Sequence, residues 1–137
     1  MRFFIFIFYF SYVTLTLQAQ YADIGQSPAA LKWKQIKTIQ FQVIFPVGFE
    51  EQAKYVTTVL ERAYEYNTHT LKAQPKRVSV ILHFYSSKSN AFVFYAPRRM
   101  EFLMCPPQDI YSHEWAEQLA VHEYRHVVQM DKLKQGI

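Results

Sequence analysis

The 137-residue chain is short of three things: it has one cysteine, three glycines and no cluster of charge of either sign. Cys105 has no partner for a disulfide, so a disulfide-stapled miniprotein is excluded. So few glycines exclude a collagen-like repeat or a flexible linker chain. The formal net charge of +4 and pI near 9.2 come from lysines and arginines spread along the chain. Without a basic patch, no nucleic-acid partner is expected. Apolar residues, by contrast, are plentiful: half of the chain is hydrophobic and 18% aromatic. A disordered segment cannot have that composition, and a packed core can.

The apolar residues are unevenly placed. The first seventeen positions hold five of the twelve phenylalanines. Arg2 gives a basic start, Phe3 to Leu17 an apolar run, and Gln18-Ala19-Gln20 a small residue for cleavage, which is the pattern of an export signal over residues 1–19. A spanning helix needs about 20 apolar residues and a basic stop behind it. The run is shorter, so no stable membrane insertion is expected after cleavage. The mature chain, 20–137, is expected in the periplasm, at the outer membrane or outside the cell.

Beyond Gln20 the pattern predicts an α/β (α+β) domain with a small mixed sheet. Tyr21 to Lys37 reads as a lead-in loop, with a helical turn at Ala29 to Trp33. Thr38 to Phe45 alternates as a half-buried strand ended by Pro46. Phe49, Ala53, Val56, Val59, Leu60, Ala63 and Tyr64 recur at helical spacing behind Glu50 and Glu51, so a helix follows and runs to about His69. The apolar run Val78 to Phe84 fits a central strand, which makes a right-handed strand-helix-strand crossover. Asn90 to Tyr95 and Met100 to Met104 are further strands around the break at Ala96 to Arg99. Arg98 and Arg99 suit either an acidic partner or a solvated strand edge.

The last element, capped by Ser112 and running from about His113 to Leu133, contains His122-Glu123-Tyr124-Arg125-His126. Histidines four apart on a helix lie about 40° apart and one turn apart in height, so both rings can converge on one metal. Zinc suits two neutral imidazoles, an oxygen ligand and an open position. Glu123, beside them, is placed as general base for water attack on a peptide carbonyl. A helical wheel groups Trp115, Leu119, Met130 and Leu133 with the histidines. It predicts that His122, His126 and Glu123 lie on or beside the buried stripe while Tyr124 and Arg125 point away from it.

The run Leu119 to Gln129 resembles the active-site helix of gluzincin-type zinc metallopeptidases. It is most similar to the peptidase-MA-like domain of exported bacterial proteins that continue into a TolB-like β-propeller. Tyr95 to Phe102 resembles the family's segment ahead of the helix, and the likeness spans about Trp33 to Lys134. The resemblance implies Zn2+ as cofactor, with His122 and His126 as ligands and Glu123 as catalytic base. It implies a peptide or protein substrate bound on an edge strand by Asn90 and Ala91, by strand addition. The other reading of Asn90 is a residue that ends a loop. The family's third ligand is a glutamate on a later helix, to which no residue here corresponds. The expectation is therefore the N-terminal half of a catalytic domain, truncated after the zinc helix, with the propeller beyond it. The alternative is a non-catalytic scaffold or degenerate fragment of a propeller-containing binding protein.

Overall fold

The computed structural model describes residues 27–107 and 114–135. The expected export signal and the Ser112 cap lie outside the described residues. Five strands form one mixed sheet: β1 (Trp33–Lys37), β2 (Phe41–Pro46), β3 (Val78–His83), β4 (Ser89–Phe94) and β5 (Arg99–Met104). Two helices complete the described residues, α1 (Glu50–Leu71) between β2 and β3, and α2 (Trp115–Leu133) at the C-terminal end. No helix among the described residues is long and apolar enough to cross a membrane.

The strand order is β1-β2-β3-β5-β4, with β2, β3 and β5 mutually parallel and the two outer strands antiparallel to their neighbours. The mixed α/β architecture expected from the sequence is therefore present, including the parallel β2-α1-β3 crossover. Alternation along the strands decides which face each residue takes. Phe41 pairs with Val78, Val43 with Val80, Val80 with Met100 and Leu82 with Phe102, so these apolar side chains stack across one face. All are buried, and both helices cover them.

The lead-in loop expected over Tyr21 to Lys37 is corrected at its end, because Trp33–Lys37 is the outer strand β1. Only Ile36 in it is even half-buried, so its pairing with β2 makes it a strand and no hydrophobic alternation announces it. The predicted strand from Thr38 instead starts at Phe41. Thr38 serves the turn before it, its N–H donating to the Phe41 carbonyl and its hydroxyl accepting the Phe41 N–H.

Helix α1 buries Ala53, Val56, Val59, Leu60 and Ala63 of the stripe expected of it, leaves Phe49 and Tyr64 half-buried, and adds Thr57 and Asn67. The Thr57 hydroxyl donates to the Ala53 carbonyl at 2.7 Å. Asn67, fully buried, donates to the Ala63 carbonyl at 3.0 Å and across to the Val121 carbonyl of α2 at 3.2 Å. That bond fixes one helix against the other at the residue before His122. Tyr124 closes the core against Phe41 and Tyr64, with ring centroids 5.2 and 5.8 Å away.

Candidate metal centre

Helix α2 packs on α1 and on β4 and β5. Its buried residues are Ala116, Leu119, Ala120, Glu123, Tyr124, Val127 and Val128. The wheel reading is corrected here, since the packed face is rotated by about 100° or more from the expected stripe. His122 and His126 are exposed, Trp115 and Met130 are half-buried, and Tyr124 is core and not a surface residue. The physical reason is side-chain size. The small and branched residues Ala116, Ala120, Val127 and Val128 let α1 approach closely, whereas Trp115 and Met130 stay half-buried and Leu133 is exposed.

The motif nonetheless converges. His122 Nε2 and His126 Nε2 are 3.2 Å apart, and their rings meet edge to face with centroids 4.8 Å apart. Two nitrogens each bonded to a tetrahedral zinc at about 2.0–2.1 Å would be separated by about 3.3 Å, so the spacing fits a shared ion. His126 Nδ1 donates to the Gln129 side-chain oxygen at 3.2 Å, which directs the Nε2 lone pair toward the shared point. Gln129 is a partner of His126 to which the sequence alone assigned no role. Its signal was available, since i+3 from a histidine on a helix is the same face.

Glu123 sits between core and surface. Its side chain is 11% exposed against 70% for His122, and its Oε1 lies 4.0 Å from His122 Nε2. Burial pushes its carboxyl above the ordinary carboxylate range, with the two histidines pulling the other way. A surface groove of about 470 Å³, whose described lining is Glu117, Gln118, Val121, His122 and Arg125, opens beside His122.

No family model, curated protein or solved structure matches this chain.

Among the described residues no group of three or more His, Cys, Asp or Glu side chains gathers around a metal position. Asp131 is engaged elsewhere, accepting from Arg98 at 3.0 Å. His69 is exposed in the last turn of α1. His83 and Glu101 lie on the sheet face away from the helices and pair with each other.

Asn90 and Ala91 lie on β4, the outermost strand on the α2 side of the sheet. Asn90 is exposed and its side-chain oxygen accepts the Ala91 N–H at 2.9 Å. The β4-β5 turn is in turn tied to α2. Arg98 bridges Asp131, Lys134 lies over the Tyr95 ring at 4.7 Å, and Arg98 also donates to the Lys76 carbonyl. Arg99 binds Glu101, so both arginines have an acidic partner and neither is a free edge guard.

Proposed function

We propose that this chain carries the zinc helix of an exported metallopeptidase domain acting on peptide bonds, with His122 and His126 as metal ligands and Glu123 as general base. The observation that carries the reading is the 3.2 Å convergence of the two Nε2 atoms at the surface, with a largely buried carboxylate 4.0 Å from one of them. Zinc held there would polarise a scissile carbonyl and ease deprotonation of a water. The protein's own part is proton handling and placement. Glu123, made more basic by burial, takes the proton of the attacking water and hands it to the leaving amine. Gln129 orients His126, and the outer strand β4 offers Asn90 and Ala91 to an extended peptide backbone. In this reading residues 1–19 are an export signal, and the mature chain works in the periplasm or beyond.

Zinc titration of the full chain by calorimetry tests the metal step. One ion per chain is expected, with affinity at least tenfold weaker in His122→Ala and in His126→Ala; equal affinity in these variants overturns the assignment. Casein or peptide hydrolysis, abolished by a chelator and by Glu123→Gln, tests the chemistry. A second reading, a scaffold that holds zinc without catalysis, is favoured by the two-histidine set among the described residues. Zinc binding without chelator-sensitive hydrolysis selects it.

A further inference from the structure

The sheet face away from the helices holds a second constellation. Alternation sends Ser79, Ile81 and His83 of β3 and Arg99, Glu101 and Leu103 of β5 to that face. Parallel register pairs Ile81 with Glu101 and His83 with Leu103, so His83 and Glu101 are diagonal neighbours. His83 is 9% exposed and Glu101 6%. His83 Nε2 stands 3.1 Å from Glu101 Oε2, and Arg99 Nε donates to the other carboxylate oxygen at 2.6 Å. The Arg99 guanidinium also lies 4.0 Å above the Phe94 ring. On the far side of the imidazole, Nδ1 is 3.1 Å from the hydroxyl of Ser27, brought there from 56 positions earlier in the chain.

The proton positions follow from these partners. A carboxylate charged against Arg99 can only accept, so it takes the Nε2–H of His83. The tautomer is then fixed with its lone pair on Nδ1, and the Ser27 hydroxyl donates to it. Hydroxyl, imidazole and carboxylate thus stand in the order that activates a serine, with a cation holding the carboxylate. Trp33, 41% exposed, sets its ring edge-to-face on His83 with centroids 6.3 Å apart and supplies an aromatic wall.

We infer that Ser27 is an activated nucleophile that accepts an acyl group from aryl esters, with His83 as its base and Glu101 and Arg99 as positioning residues. In the step, the Oγ–carbonyl carbon bond forms as the ester carbon–oxygen bond breaks. The aryloxide leaves with the bonding electrons, and the hydroxyl proton passes to His83 Nδ1 and then to solvent.

Treatment of the full chain with p-nitrophenyl acetate, followed by tandem mass spectrometry, tests this. Acetylation of Ser27 is expected about 10²- to 10³-fold faster than that of the loop serines Ser86 and Ser87, the range that a positioned base supplies. Ser27→Ala changes a half-buried loop residue, so the fold persists by circular dichroism while the fast release of p-nitrophenolate is lost. Glu101→Gln is expected to slow Ser27 acetylation at least tenfold. A chelator leaves the reaction unchanged, which separates it from any zinc chemistry at His122 and His126. Acetylation of Ser27 no faster than that of Ser86, or at the same rate in a folded Glu101→Gln protein, overturns the inference.

Discussion

Arg98 and Asp131 join the turn between β4 and β5 to the last turns of α2, and a double-mutant cycle on them tests how that helix is held. The guanidinium and carboxylate are 3.0 Å apart with side chains only 19% and 18% exposed. At an effective dielectric of about 20 the bare attraction at that distance is about 5.5 kcal/mol. Removing both groups from most of their water returns the larger part of it. Fully exposed pairs measure about 0.2–1 kcal/mol, so a partly sheltered pair should show a coupling energy of about 1–2 kcal/mol. The single changes should be unequal. Arg98 also donates to the Lys76 carbonyl at 2.9 Å, so Arg98→Ala should cost about 1 kcal/mol more than Asp131→Ala. Urea denaturation of the four proteins reads these numbers as midpoint shifts at constant slope. A coupling energy below about 0.5 kcal/mol, or equal single-mutant costs, refutes the argument that this pair ties the turn to the helix.

Three further outcomes follow from other parts of the fold. Lys72 caps α1 with a left-handed backbone at φ 53°, so Lys72→Gly should raise stability by about 0.5–1 kcal/mol in thermal or urea melts. Tyr124 is buried against two aromatic rings, and Tyr124→Ala should cost about 3–5 kcal/mol, read in the same melts. Tyr55 donates its hydroxyl to Glu114, and this bond, aided by burial and the nearby charge, raises its pKa to about 12. Raised folded-state pKa means that the folded protein keeps the proton longer. The contribution is therefore complete below about pH 10 and lost as pH rises through about 12. Phenolate absorbance of the wild type minus Tyr55→Phe should titrate near that value, and at lower pH when Glu114 is replaced by Gln.

Much of the fold is readable from local pattern because burial and period coincide there. The stripe Ala53, Val56, Leu60 and Ala63 has one helical face, and Val78 to Leu82 is apolar enough for a strand covered by neighbours on both sides. Strand β1 has no such pattern. Trp-Lys-Gln-Ile-Lys is a strand because Ile36 and its neighbours pair with β2, a fact about a partner and not about the segment. The same holds for Asn67, whose polar side chain looks like a surface residue until the Val121 carbonyl meets it. Ser27, His83 and Glu101 are brought together by crossover and register. No spacing along the chain could bring out that group.

The misjudged orientation of α2 has a consequence for the site. Placing both histidines on the buried stripe would have enclosed their lone pairs in side chains and shut them from solvent. On a helix the residue after a histidine is turned by about 100°, so Glu123 can face the core while His122 faces out. With Glu123 turned inward, its carboxylate loses water and gains basicity, while the two imidazoles stand at the rim beside the groove at Val121 and Arg125. The rotation that the wheel missed is therefore what lets one motif keep a desolvated carboxylate and a solvent-facing imidazole within 4.0 Å of each other. The packed face that imposes it is made by Ala116, Ala120, Tyr124, Val127 and Val128, none of which carries the chemistry. Enlarging Ala120 to Leu should push α2 away from α1 and cost about 1–3 kcal/mol by overpacking. Because both histidines sit on the opposite, uncovered side of the helix, zinc affinity should fall less than threefold in the same protein. A larger loss measured by calorimetry in a folded Ala120→Leu variant would mean that the ligand geometry depends on the core after all.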